Sequence, residues 1–123
     1  MNTTKKRLPE DILAGFFANF PRYQKFRYDR ENFNRFFYKM KNKYPSLLEC
    51  LVFRKREFPE SGELDQAYMN LTYSGFLAYS FHDFLHESKK DLCKKVAKKY
   101  FSLLEMNQLK EMAKEYVRKF GVS

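Results

Sequence analysis

The sequence predicts a mainly α-helical protein that folds as a single compact domain of five to six helices, with a central segment that fits a short β-hairpin. Three observations support this prediction. The chain has 123 residues, which is the usual length of one domain. Apolar residues recur at helical spacing in most of its segments. Aromatic side chains make up 19% of the residues, which is enough to fill a core and too many for a disordered chain.

The first predicted helix follows a short basic tail. Residues 1–7 are expected to be flexible, and residues 8–123 are expected to form the single helical domain. Pro9 suits the first turn of a helix, and the two acidic residues behind it favour the positive end of the helix dipole. Pro21 ends this helix, because proline disfavours a helical conformation in the residue before it.

A second and a third helix are predicted before the centre of the chain. The segment in front of them, RYQKFRY at residues 22–28, is interpreted as a linker that pins its rings into the core. Its mixture of basic and aromatic residues also suits stacking on nucleic-acid bases, which is the alternative. Asp29 is the expected N-cap of the second helix, and Pro45 interrupts that helix. A short buried helix is expected over residues 45–52.

The central segment, residues 58–87, contains no lysine and no arginine. Apolar residues at helical spacing predict a helix near residues 62–74, and Gly75 can adopt the left-handed conformation that closes a helix. After Gly75 the apolar residues alternate with polar or small ones, as in a strand, but their spacing also fits a helix. A short strand or hairpin over residues 76–87 is the favoured interpretation.

Two further helices are predicted at the C-terminal end. Ser88 starts the first, with Asp91 three residues on in a pattern close to a capping box, and its apolar face is expected to extend to Leu104. The last helix runs from about Asn107 to Phe120. One core is expected to unite the predicted apolar faces. Its largely buried members are Leu13, Phe17, Phe36, Leu51, Leu71, Val96, Tyr100 and Met112.

Positive charge is concentrated toward the two ends of the chain, whose formal net charge is +9. Residues 1–60 contain 14 basic and seven acidic residues, and residues 89–123 contain ten and four. Residues 61–88 contain four acidic residues and no basic one. A basic balance favours an acidic partner such as nucleic acid, although a solvated surface that maintains solubility is the simpler explanation.

The clearest functional pattern is a lysine stripe on the helix predicted from Ser88. Lysine pairs recur after five and then four residues, which places them on one helix face. A solvated outer face is the simpler interpretation, and contact with nucleic-acid phosphates is the functional one. An anionic membrane surface fits less well, because the core needs the opposite apolar face. With the basic run that precedes the central segment, the candidate nucleic-acid-binding residues are Lys89, Lys90, Lys94, Lys95, Lys98, Lys99, Arg54, Lys55 and Arg56.

No pattern in the sequence predicts an enzyme. His82 and His86 are four residues apart, as in helical zinc motifs, and Asp83 stands where zinc hydrolases carry a glutamate. Aspartate is one methylene shorter and the spacing marks no third ligand, so the two histidines are weak metal candidates. The sequence has no glycine-rich phosphate loop and no nucleophile beside a marked base. Neither a cofactor nor a small-molecule substrate is therefore expected.

The two cysteines and the hydropathy pattern favour an intracellular protein. Cys50 and Cys93 are too few for a disulfide framework, so both are expected to be reduced and to lie on apolar helix faces. No apolar run approaches the ~20 residues that span a bilayer, so no membrane partner is expected. The basic N-terminus shows no cleavage site and is not interpreted as a signal peptide. A cytoplasmic location is the resulting expectation.

The predicted order of elements over residues 30–87 resembles a winged helix-turn-helix layout, in which a helix that ends in glycine is followed by a wing. In that layout residues 63–74 would form the recognition helix, but they contain no lysine or arginine, and Glu63 and Asp65 would repel phosphate. Two functions follow from these patterns. The first is a small regulatory protein that binds nucleic acid through lysine-rich helix faces. The second is a non-enzymatic protein–protein interaction adaptor that uses the acidic, aromatic central segment to bind a protein partner or a second copy of the chain.

Overall fold

Five helices and six short strands form the computed structural model, which describes residues 7–122. The helices are α1 (Pro9–Ala18), α2 (Arg30–Lys43), α3 (Gly62–Tyr73), α4 (Lys90–Tyr100) and α5 (Leu103–Phe120). The strands are β1 (Lys25–Phe26), β2 (Arg54–Lys55), β3 (Pro59–Glu60), β4 (Leu77–Ser80), β5 (Leu85–Ser88) and β6 (Gly121–Val122). The prediction of a mainly α-helical single domain is confirmed. Most of the expected basic tail lies outside the described residues.

Four of the strands pair in one antiparallel sheet, in the order β4–β5–β1–β6, while β2 and β3 form a separate hairpin. The hairpin of β4 and β5 confirms the favoured interpretation of residues 76–87. Its turn is closed by a hydrogen bond from the N–H of Phe84 to the carbonyl of Ser80 at 2.8 Å. The helical alternative for this segment is wrong. Strand β5 pairs with β1 as well as with β4, and a helix could not form these backbone hydrogen bonds to a neighbouring strand.

Helix α1 lies at the centre of the core, since its residues from Ile12 to Ala18 are all buried. It contacts α3, α4 and α5. Gly15 permits this close approach, because a Cβ there would lie 2.7 Å from Cε2 of Phe101 and 2.8 Å from Cδ1 of Leu109. Aromatic rings fill the space around α1, many in edge-to-face contact. The buried rings are Phe16, Phe17, Phe20, Phe26, Phe33, Phe36, Phe37, Tyr68 and Tyr116.

The ends of α2 and α3 follow signals that are present in the sequence. Asp29 caps α2 as predicted, and Ser61 caps α3: each side chain accepts a hydrogen bond from the backbone N–H three residues on. Gly75 has a φ of 83° and closes α3. The N–H of Phe76 then donates to the carbonyl of Leu71, which completes the glycine-based helix end.

The predicted helix over residues 45–52 is wrong, because this segment forms a series of turns. Cys50 therefore lies in a turn and not on a helix, whereas Cys93 is buried on α4 as expected. The start predicted for α4 is also displaced. Lys89 occupies the N-cap position, and the side chain of Ser88 does not cap the helix.

Helix α5 begins earlier than predicted, because Ser102 and Glu105 form a reciprocal capping box. This start leaves Leu104 exposed in the first turn, although the sequence pattern assigned it to the apolar face of the preceding helix. Six of the eight expected core residues are buried, and Val96 and Tyr100 are only half-buried. Both lie on α4, but its fully buried face is limited to Cys93 and Ala97.

Asn34 joins α2 to the start of α3, and its side chain is fully buried. Its Nδ2 donates to the carbonyl of Arg30 and to Oδ1 of Asp65, both at 2.9 Å. Its Oδ1 accepts a hydrogen bond from the N–H of Ser61 at 2.8 Å. At the surface, the Arg30 guanidinium pairs with Asp65 at 2.9 Å and with Glu60 at 2.6 Å. A polar residue on the buried face of α2 thus sets the junction between the two helices.

Candidate nucleic-acid interface

Helix α4 carries the predicted lysine stripe on its exposed face. On the opposite face Cys93 and Ala97 are buried, and the helix packs against α1. Of the six predicted lysines, five are exposed and Lys90 is half-buried. The structure therefore brings together the six residues that we call the lysine surface: Lys89, Lys90, Lys94, Lys95, Lys98 and Lys99.

The charge of the lysine surface is not neutralised. None of its six lysines forms an ion pair with any residue in the described range 7–122, whereas basic side chains on other elements do. Asp91, the acidic residue on α4, pairs instead with Arg22, at 3.2 Å. The pKa of Lys90 is lowered, first by burial and then by the like charges of Lys94 and Arg22. Unpaired positive charge at this density attracts phosphate groups.

Arg22 and Tyr23 extend this surface, although neither was among the residues predicted to bind. They lie in the turn before β1, where Tyr23 has a φ of 65° and an exposed ring. A cavity of about 350 Å³ lies between these two residues and the start of α4, where its lining includes Lys89 and Lys90 and the carboxylates of Glu87 and Asp91. The basic and aromatic pattern of residues 22–28 was the signal that could have found them. The other two rings of that segment pack into or against the core, as the linker interpretation expected.

The second predicted basic run lies on a different element. Arg54, Lys55 and Arg56 are exposed at the β2–β3 hairpin, and β3 packs against α2. The Lys55 ammonium lies 5.8 Å from the centre of the Tyr38 ring. Arg54 and Arg56 line a cavity of about 320 Å³ whose walls also carry three carboxylates from β3 and α3. These carboxylates oppose a phosphate, so the run suits nucleic acid less well than Lys94 and Lys98 do, since the cavity that these two lysines line has no carboxylate among its described lining residues.

The two weak metal candidates lie apart in the β4–β5 hairpin. His82 is exposed in the turn, whereas His86 lies on β5 with its Nδ1 2.7 Å from the hydroxyl of Tyr68. Burial raises the pKa of Tyr68, so its hydroxyl keeps its proton, and burial lowers the pKa of His86. The two side chains therefore share a hydrogen bond whose direction is set by which nitrogen of the imidazole carries the proton. Within residues 7–122, no group of three or more His, Cys, Asp or Glu side chains is placed to hold a metal ion.

The helices of the described residues and the comparison with known proteins give two further findings. Among the helices of the described part of the chain, none is both long and apolar enough to cross a membrane. No protein-family model, curated protein or solved structure matches this chain.

Proposed function

We propose that the protein binds nucleic acid through the lysine surface of α4, by phosphate contacts that do not depend on base sequence. The observation that carries the proposal is the absence of any ion pair between these six lysines and the described residues. Lysines that bind phosphates release the counterions of the nucleic acid, which favours binding at low salt. The 11 residues of α4 span about 16 Å, and one duplex strand carries a phosphate about every 3.4 Å of its axis. Several phosphates therefore lie within reach of one helix.

The winged-helix-like layout of residues 30–87 is part of the same proposal. Helices α2 and α3 are followed by the β4–β5 hairpin, and α3 ends at Gly75, which supports this layout by element order. Helix α3 would then take the position of the recognition helix. It carries no lysine or arginine, and its Asp65 already pairs with Arg30. We therefore assign the phosphate contacts to α4 and not to α3.

The exposed rings of the central segment favour a second candidate, a protein-interaction adaptor. Phe81 is 83% exposed at the end of the β4–β5 hairpin, and Phe84 and Tyr73 are also exposed. Aromatic side chains are enriched in protein interfaces, and the surrounding segment carries only negative charge. An adaptor that uses these rings has no need of nucleic acid, so it predicts no DNA binding at moderate salt.

A salt titration of the four central lysines tests the proposal. The test variant changes Lys94, Lys95, Lys98 and Lys99 to Gln, and the affinity for a labelled DNA duplex is measured by fluorescence anisotropy at several salt concentrations. Affinity falls with salt, and each lost phosphate contact makes the negative slope of log affinity against log salt shallower by about 0.9, so the loss of four contacts flattens it by up to about 3.6. The fold is expected to survive, because all four side chains are exposed. Circular dichroism checks this point.

A control variant with the same loss of charge distinguishes an effect of where the lysines lie from an effect of the total charge removed. Four exposed basic residues of α5 are changed to Gln: Lys110, Lys114, Arg118 and Lys119. We expect this variant to keep most of the salt slope. Equal slopes for the test variant and the wild type would contradict the proposal, as would a wild type that binds no DNA at low salt. The adaptor would then become the leading candidate.

A further inference from the structure

An open groove of about 410 Å³ lies between the end of α1, helix α4 and the start of α5. The lining includes the apolar side chains of Ala18, Ala97, Phe101 and Met106. The Phe101 ring is held against α1, because Gly15 has no side chain to displace it. The volume falls in the range of protein pockets that bind ligands. This apolar surface is formed by packed residues of three helical elements, so it is a preformed site.

The edges of the groove differ in chemistry. Lys94 and Lys98 line it along α4, and neither forms an ion pair with a described residue. Leu103 lines it at the start of α5 and is 80% exposed. A leucine this exposed, next to an apolar concave surface, leaves a continuous apolar strip in water. The groove thus presents an apolar strip with two cations along one side.

We propose that this groove binds an amphipathic helix of a protein partner that carries two acidic residues beside its apolar face. Helix-in-groove recognition uses apolar side chains at i, i+3, i+4 and i+7 of the bound helix. Lys94 and Lys98 are separated by one helical turn, which is about 6 Å along the axis of α4. Two carboxylates four residues apart on a partner helix have the same separation. The groove therefore specifies both the apolar anchors and the spacing of the acidic pair.

Other occupants fit the charge of the groove less well. Residues 1–6 of the chain contain Lys5 and Lys6 and no acidic residue, so like charges oppose their docking beside Lys94 and Lys98. A second copy of the chain carries the same net charge of +9. Nucleic acid can contact the two lysines but offers no apolar group large enough to fill the floor of the groove, except an unstacked base. An acidic amphipathic helix is complementary to both the apolar floor of the groove and the two lysines along its edge.

The inference does not rest on nucleic-acid binding, and a peptide selection tests it directly. A phage-displayed library of helical peptides of about 16 residues, long enough to form a helix, is selected against the full chain. We expect the enriched sequences to share apolar residues at helical spacing and two acidic residues four positions apart. The best peptide is then synthesised with a fluorescent label, and its affinity is measured by anisotropy.

Two pairs of variants make the test specific, since each control is the sequence neighbour of the residue it matches. Leu103→Ser should weaken peptide binding about tenfold or more, whereas Leu104→Ser should change it less than about twofold, because Leu104 is exposed but does not line the groove. Lys94→Gln with Lys98→Gln should weaken binding about three- to tenfold. Lys95→Gln with Lys99→Gln removes the same charge outside the groove and should have little effect.

Four outcomes would overturn the proposal. Enriched peptides without acidic residues would show that the groove is not selective for charge. Equal effects of the Leu103 and Leu104 variants would place the peptide elsewhere, and a library without enrichment would show that the groove takes no helix. A dimer in light scattering that Leu103→Ser converts to a monomer would identify a second copy as the occupant. Loss of DNA binding in the Lys95 and Lys99 variant, with peptide binding intact, would concern only the proposed nucleic-acid function.

Discussion

Replacing Asn34 with leucine should destabilise the protein strongly, because the side chain is similar in size but makes no hydrogen bonds. The N–H of Ser61 would lose its partner in a buried position, which costs about 1–3 kcal/mol. The carboxylate of Asp65 would lose one donor but keep Arg30, so this loss falls at the lower end of the about 1.5–3 kcal/mol typical of charged hydrogen bonds. The added burial of leucine offsets part of the sum. We expect a net loss of about 3 kcal/mol.

Urea denaturation followed by circular dichroism measures this loss. With a slope of about 2 kcal/mol per molar urea, the midpoint should fall by about 1.5 M at an unchanged slope. The control is Asn32→Leu on the same helix, where the side chain is exposed and the change should stay within about 0.5 kcal/mol. A loss below about 1 kcal/mol for Asn34→Leu would refute the reasoning that this amide holds α2 to α3.

Two further predictions concern close packing and pH. Gly15→Ala improves helix propensity by about 1 kcal/mol. However, the new Cβ would contact the fully buried Leu109, and such overpacking costs about 1–3 kcal/mol. We therefore expect the free energy of unfolding, measured by urea denaturation, to fall by about 1 kcal/mol. Gly62→Ala has no atom within 4 Å of the new Cβ and should be neutral or slightly stabilising; equal effects at both sites would contradict the argument. Burial lowers the pKa of His86 from 6.5, so the unfolded chain binds a proton that the native state does not. Stability should therefore fall as pH drops below about 6.5, by at most about 1.4 kcal/mol per pH unit, and His86→Gln should remove this slope between about pH 6.5 and 5.

The elements that the sequence predicted well are those whose signals are local. The cap at Asp29, the glycine end at Gly75 and the apolar faces of α1 and α2 depend on residues within one or two helical turns. The same holds for the exposed lysines of α4, since their positions follow from the helical period. The start of α5 is also encoded locally, by the capping box of Ser102 and Glu105, but the apolar spacing of α4 continues past it to Leu104 and predicts a longer α4.

The features that the sequence did not predict depend on contacts between distant segments. Asn34 has no marked signal, because its partner Ser61 is 27 residues away. Arg22 reaches Asp91 across 69 residues, and only folding reveals that it borders the lysine surface. Strand β1 has two residues, too few for any periodicity, and it forms because β5 and β6 lie on either side of it. Position in the sheet, and not propensity, decides its conformation.

The two proposed ligands share part of α4, and this overlap has a measurable consequence. Lys94 and Lys98 line the groove, whereas Lys95 and Lys99 lie outside it, and each pair is spaced by one helical turn. A nucleic-acid strand can contact both pairs, but an acidic helix in the groove neutralises the first. The peptide should therefore compete with DNA, and the apparent dissociation constant of the DNA complex should rise as the peptide fills the groove. Leu103→Ser should abolish the competition while leaving the affinity for DNA unchanged. If saturating peptide leaves DNA binding unaltered, the phosphates contact the lysine surface without Lys94 and Lys98.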